Sequence, residues 1–181
     1  MFRNIGKKED YAEITHFGND FYRVEWDYEP IKINSYGSED SDVETLDDDT
    51  YASWMQETFK RKPELDEIKS MVLSYFDEKT ENKIINGFEW TGRNGEVVKL
   101  FLTHENRHIY KDKYELAVQT NGSSLPFTFE YGDDSEPLYY EITTVEEFSD
   151  FYSSMTNYID TCTSEGESEK DGIDWSKYQI D

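Results

Sequence analysis

From residue 144 to residue 162 the chain carries a pattern that leaves little choice of local structure. Thr144 and Glu147 form a capping box, in which a hydroxyl and a carboxylate satisfy the free N–H groups of a helix start. Val145, Phe148, Tyr152, Met155, Ile159 and Cys162 then step by 3, 4, 3, 4 and 3 residues. That stepping puts all six on one helix face, which has to be buried. The stripe therefore reads as core rather than as a cofactor site, and Cys162 as an inert buried thiol. The polar run 164–172 reads as a loop, and Trp175 and Tyr178 dock the tail back.

The other elements follow in chain order. Tyr11–Phe17 and Phe21–Ile33 flank Gly18-Asn19-Asp20, which predicts a β-hairpin. In its second strand Tyr22, Val24, Trp26 and Tyr28 alternate with Arg23, Glu25, Asp27 and Glu29, a period of two with one apolar face. Residues 51–59 read as a short strand. Pro63 suits a first helical position. Leu65, Ile68, Val72, Tyr75 and Phe76 then share a face, and Asn86-Gly87 stops the helix. A hairpin of Phe88–Trp90 and Val97–Leu102 comes next, then a helix over 104–119 ended by Asn121-Gly122. A third hairpin, Pro126–Tyr131 with Leu138–Ile142, turns at Gly132-Asp133-Asp134. After residue 62 the order is α-ββ-α-ββ-α. The expected class is α+β, with antiparallel hairpins interleaved with helices on one face of a sheet, preceded by a strand-rich N-terminal part.

Composition decides which partners suit such a fold. Mean hydropathy is −0.90, yet aromatics make up 16% of the chain, enough large side chains to build a core. The net charge is −23. Between Lys113 and Lys170 there is no Lys or Arg, against 13 acids. Nucleic-acid affinity comes largely from cations displacing phosphate counterions, so direct DNA or RNA binding is disfavoured, as is an anionic membrane surface. Seven acids fall within residues 39–49 of the segment 34–50, which reads as a solvated acidic loop. An EF-hand beginning at Asp40 would need Gly and Glu where Thr45 and Tyr51 stand. With Cys162 alone there is no intrachain disulfide. No apolar run reaches the length of a membrane helix, and the start lacks a signal-peptide pattern.

One segment resembles an enzyme motif. His104-Glu105-Asn106-Arg107-His108 matches H-E-x-x-H, whose two histidines can share zinc on one helix face while the glutamate acts as base. Three features argue against a zinc hydrolase. Thr103 reads as the N-cap, which leaves His104 in a fraying first turn. A metzincin would carry Gly and His where Lys111 and Tyr114 stand. For a third ligand of another kind the nearest candidates are Glu115, too close on the same helix, and Glu130, in a strand; and Tyr110-Lys111-Asp112-Lys113, just after the motif, reads as a wet surface rather than a dry catalytic wall. The expectation is no metal, no cofactor and no enzymatic activity. His16 reads as a surface or strand-edge residue.

Several ordered motifs carry a resemblance. They are Gly87-Phe88-Glu89-Trp90, Leu102 with Glu105-Asn106-Arg107, and Leu116-Ala117-Val118-Gln119-Thr120-Asn121-Gly122. Leu125-Pro126 with Phe129 and Gly132 continue the series, followed by Pro137-Leu138-Tyr139-Tyr140, Phe151-Tyr152 and the segment Lys170–Tyr178. From about residue 62 to 181 the chain resembles a domain of unknown function found in tailed-bacteriophage and prophage proteins, notably of Bacteroidales phages, often near tail genes. In that family the Glu-Asn pair recurs, usually followed by Gln, without flanking histidines. Arg107 and a longer Thr91–Lys99 segment depart from the pattern. The resemblance implies a division into a strand-rich region 1–61 and an α+β phage domain 62–181.

The resulting expectation is a phage structural or assembly protein that contacts other phage proteins, in the virion or in the host cytoplasm during assembly. Trp26, Tyr28, Tyr139 and Tyr140 are its candidate contact anchors. The alternative is an acidic decoy that imitates DNA and blocks a host nucleic-acid-binding or defence protein.

Overall fold

The computed structural model describes residues 1–18, 20–31, 51–133 and 136–180. The acidic run 34–50 lies outside these residues, as do Asn19 of the first turn and Asp134 of the third. The protein is α+β, with hairpins interleaved with helices after a strand-rich start. It divides into two compact units, residues 1–74 with 173–181, and residues 75–172. The division falls inside a helix rather than at residue 61, and the end of the chain belongs with its beginning.

In the first unit β1 (Phe2–Lys7), β2 (Ile14–Phe17), β3 (Phe21–Pro30) and β4 (Tyr51–Phe59) pair antiparallel in the order β1-β4-β3-β2. No sequence pattern marks β1, which gains its place by pairing along β4 from Phe2 opposite Gln56 to Lys7 opposite Tyr51. Tyr22, Val24 and Trp26 are buried as their alternation requires. The alternation breaks after Trp26. The register slips between Trp26 and Glu29, and Asp27 takes a left-handed φ of 54°. Such a bulge sets two residues against one and reverses the facing of the next residues along the strand. Tyr28 therefore leaves the face of Trp26 and packs on Tyr11 at 4.9 Å. Arg3 of β1 holds the bulge, donating to Asp27, to Glu29 at 3.1 Å and to Ser53 at 2.8 Å.

Helix α1 (Leu65–Asn86) carries the division between the units. The Glu64 carbonyl accepts from the Ile68 N–H at 3.1 Å, so Pro63 precedes the cap instead of opening the helix. The second unit continues with β5 (Phe88–Thr91), β6 (Val97–Leu100), α2 (His104–Gln119), β7 (Phe127–Asp133), β8 (Glu136–Ile142) and α3 (Val145–Asp171). Thr103 caps α2 through its hydroxyl. Left-handed Asn121 and Gly122 end that helix. The hairpins form two separate two-stranded sheets rather than one antiparallel sheet. They are joined by side chains: Phe88, Trp90, Val98, Leu100, Phe129, Tyr140 and Ile142 share one core with Tyr110 of α2 and with α3. Phe151 sits at its centre, with ring centroids of Trp90, Tyr110 and Phe129 at 5.2, 5.3 and 5.4 Å. The buried face of α3 is thus centred on Phe151, with Tyr152 at its margin.

Residues 164–171 are helical, not a loop. Tertiary contacts supply what the polar sequence lacks. Lys79 pairs with Glu169 at 3.2 Å, Lys170 with Asp77 at 2.7 Å, and Lys83 with Glu165, so three ion pairs join α1 to the end of α3. Between them the helices touch at Gly166, where a Cβ would lie 2.1 Å from Thr80 Oγ1. Gly166→Ala is expected to destabilise the chain by about 1–3 kcal/mol through overpacking. In urea titrations Thr80→Ala should recover most of that loss in the double variant; simple additivity of the two changes would refute the contact.

Candidate functional site

The H-E-x-x-H segment lies at the N-terminus of α2, as its cap predicts. His104 is 81% exposed in its side chain, with Nε2 3.4 Å from Glu81 Oε1, and Arg107 donates to the same carboxylate oxygen. The motif's polar groups thus tie α2 to α1. Among the described residues no three His, Cys, Asp or Glu side chains converge as a metal site. Cys162 is a buried free thiol. His16 is exposed on β2, at the edge of the sheet, and stacks on Tyr22 at 4.4 Å.

The four aromatic candidates divide evenly. Trp26 and Tyr140 are buried and cannot be contact anchors, whereas Tyr28 and Tyr139 are exposed. Trp26 faces the interior because its strand alternates up to the bulge. Tyr140 is held by polar bonds as well as by packing. Its hydroxyl donates to Glu147 Oε1 at 2.6 Å and accepts from the Arg93 N–H at 3.2 Å, while its ring lies edge-on to Trp90 at 5.1 Å. Glu147 also accepts from the Thr143 N–H at 3.1 Å, one residue before the cap. The capping box is thereby turned into a knot that fastens the β5–β6 turn to the start of α3.

Tyr139 points the other way. It is 65% exposed and lies directly across from Glu130 on the neighbouring strand. Alternation puts Glu141 and Thr128 on the same outer face, one register step away. Leu138, on the opposite side of the ribbon, is exposed as well. The first unit also presents apolar groups to solvent, namely Phe2 and Ile5 on β1 and Phe17 with Phe21 at the tip of the β2–β3 hairpin. Composition could not distinguish these from core residues, because exposure depends on which strand is at the edge.

A second polar cluster lies in the first unit, at a residue that alternation places toward solvent. Glu25 is fully buried. Its carboxylate accepts from Trp54 Nε1 at 2.8 Å and from the Ala12 N–H at 2.9 Å, and lies 2.8 Å from Arg23 Nε. The Arg23 contact is close in distance but poorly aligned as a hydrogen bond. Its attraction is therefore chiefly ionic. The Tyr178 hydroxyl donates to the Glu25 carbonyl at 3.0 Å. With both carboxylate oxygens engaged, this arrangement orders the sheet face and leaves no open position for a reacting group.

Burial pushes the Tyr110 and Tyr178 phenols up to about 12, and burial followed by the bond to Glu147 does the same for Tyr140. Burial raises Tyr11 further, with Tyr178 adding to the effect. The folded chain holds these protons above pH 10, the ordinary value, where the unfolded chain loses them. This stability is fully present below pH 10 and is lost as pH rises through about 12. Phenolate absorbance should lag behind that of free tyrosine up to that range and then rise together with unfolding. Complete titration near pH 10 in a still-folded chain would contradict the burial.

Searches against protein-family models, curated proteins and solved structures found no match. Fold and surface together define an acidic α+β protein with two compact units, each presenting apolar side chains to solvent. Among the described residues no helix is long and apolar enough to cross a membrane.

Proposed function

We propose that the protein is a bacteriophage structural or assembly protein, either a minor tail-associated virion component or a helper in tail-fibre assembly. It acts by contact with other phage proteins and without catalysis of its own, in the virion or in the host cytoplasm during assembly. The sequence resemblance over residues 62–181 supports the phage setting. The observation that carries the contact reading is Tyr139, 65% exposed on the outer face of the β7–β8 hairpin. A large ring held on a rigid ribbon gives up little conformational freedom on binding, and tyrosine is enriched among residues that dominate interfaces.

Quantitative mass spectrometry of gradient-purified particles tests the setting, with infected-cell lysate alongside. A constant copy number per particle identifies a virion component. Abundance in lysate with absence from particles identifies a helper, and absence from both rejects the proposal. Tyr139→Ala is expected to weaken capture of the phage partner about thirtyfold, the equivalent of about 2 kcal/mol, with an unchanged melting curve. Unchanged capture would exclude this face.

The charge of −23 and the cation-free stretch 114–169 favour a second reading, a DNA-mimicking decoy for a basic host protein. Salt separates the two. A decoy complex weakens steeply as ionic strength rises, whereas an aromatic contact holds.

A further inference from the structure

Three Asn-Gly pairs stand in the chain, at residues 86–87, 94–95 and 121–122. Such a pair is open to a reaction of the chain on itself. A glycine nitrogen that loses its proton can attack the carboxamide carbon of the preceding asparagine, and glycine has no side chain to obstruct the approach. The peptide between the two residues must first rotate until its nitrogen meets Cγ. The reaction therefore proceeds where the backbone leaves its hydrogen bonds cheaply and where the new ring has room.

Two of the pairs end helices and are held there. The Gly87 N–H donates to the Lys83 carbonyl at 3.1 Å, and the Asn86 carboxamide donates to the Asn82 carbonyl at 2.9 Å. The space beside Gly87 is taken, since a Cβ there would lie 2.2 Å from the Tyr158 hydroxyl. That hydroxyl itself donates to the Lys83 carbonyl at 2.7 Å. The Gly122 N–H donates to the Ala117 carbonyl at 2.8 Å, and a Cβ on Gly122 would meet Val145 at 3.3 Å. Turning either peptide unwinds a helix end and pushes into neighbouring side chains.

The middle pair lies in open water. Arg93, Asn94 and Gly95 join β5 to β6, and the Gly92 N–H closes the hairpin on the Glu96 carbonyl at 2.9 Å. Asn94 and Gly95 are both exposed, and nothing lies within 4 Å of a Cβ built on Gly95. The Gly95 N–H is bonded too, to the Gly92 carbonyl at 2.9 Å, but that bond belongs to a surface turn rather than a helix. Bonds of this kind open at the low end of the stability range. Arg93 is anchored, its N–H on the Tyr140 hydroxyl at 3.2 Å and its guanidinium on Thr143 Oγ1 at 2.8 Å. The hairpin thus stays in place while the peptide beyond Asn94 turns.

We propose that Asn94 is a site of spontaneous modification, converting through a cyclic imide to aspartate and isoaspartate, while the fold protects Asn86 and Asn121. The Gly95 nitrogen gives its proton to hydroxide and forms a bond to Asn94 Cγ. The bond from Cγ to the side-chain nitrogen breaks, and ammonia leaves with a proton from water. Water then opens the imide. Addition at Cγ restores the ordinary backbone with an aspartate. Addition at the former backbone carbonyl gives isoaspartate, whose main chain runs through Cγ and is longer by a methylene. Either product adds a carboxylate to the turn. Isoaspartate also lengthens the loop between Gly92 and Glu96, whose bond closes the hairpin. The proposal stands apart from the contact face at Tyr139 and does not depend on it.

The test incubates the full-length chain in warm, mildly alkaline heavy-oxygen water and follows the three Asn-Gly peptides by mass spectrometry, with fragmentation that separates aspartate from isoaspartate. The expected result is conversion at Asn94 at least about tenfold faster than at Asn86 or Asn121, the ratio given by a difference of about 1.4 kcal/mol in the cost of opening. Heavy oxygen should enter each product as the imide is hydrolysed. In guanidinium chloride strong enough to unfold the chain, the three rates should converge, because the fold is what separates them. Equal rates in the folded chain, or an Asn94 lead that persists unchanged in the unfolded one, overturns the proposal.

Discussion

Phe151→Ala is expected to destabilise the protein by about 3–5 kcal/mol, the range for truncating a fully buried aromatic side chain. Phe151 has no exposed surface and touches rings from both hairpins of the second unit, from α2 and from its own helix. Those hairpins share no hydrogen-bonded ladder, so side-chain packing at this point is what joins them. The cavity left behind would be lined by rings whose backbones belong to separate elements, which limits how far they can close on it. Urea unfolding should show a lower midpoint. Phe151→Leu, which retains most of the volume, should lose substantially less. A loss below about 1 kcal/mol for the alanine variant would mean that the second unit is not organised around this ring.

Glu25→Ala is expected to cost about as much, roughly 3–5 kcal/mol, for a different reason. Removing one partner of a buried ionic cluster leaves the others desolvated and unpaired. Here the Trp54 indole N–H, the Ala12 N–H and the Arg23 guanidinium would lose their common acceptor. Glu25→Gln keeps one acceptor oxygen and should cost less. Replacing both charges with apolar groups, as in Arg23→Met with Glu25→Leu, should recover only part of the alanine loss, because the Trp54 and Ala12 N–H groups still lack their acceptor. Trp54 fluorescence reports on the site directly, since its indole loses a hydrogen bond in the alanine variant. If Glu25→Ala unfolds like the parent chain, the cluster contributes nothing net, and the face it lies on is held by packing alone.

Several elements are legible without coordinates because their signals are local. The α2 cap at Thr103, its end at Asn121-Gly122 and the cap of α3 at Thr144 each depend on a few adjacent residues, and the structure places them where the pattern does. The first-turn position of His104 is local in the same sense. Signals that span the fold mislead. Alternation assigns Tyr28 to the face of Trp26, and one bulge reverses it. The same alternation assigns Glu25 to solvent, but residues 11–13 and the chain end supply its partners. Between the adjacent tyrosines at 139 and 140 the sequence offers no way to choose. A strand sends neighbours to opposite faces, and only the position of the core selects which one is exposed.

The sequence by itself determined the class of fold, the order of its elements after residue 62, the caps of its later helices and an acidic surface poor in cations. These come from periodicity, from turn chemistry and from charge counting, all of which act over a few residues or over the whole composition. The tertiary structure alone decided that β1 joins the sheet, that α3 runs on to Asp171, that Gly166 meets Thr80 and that the tail returns to the first unit. Each of these depends on groups far apart in the chain coming within a few ångströms. Contacts of that kind outweigh the small local preferences of a polar helix end or a short edge strand.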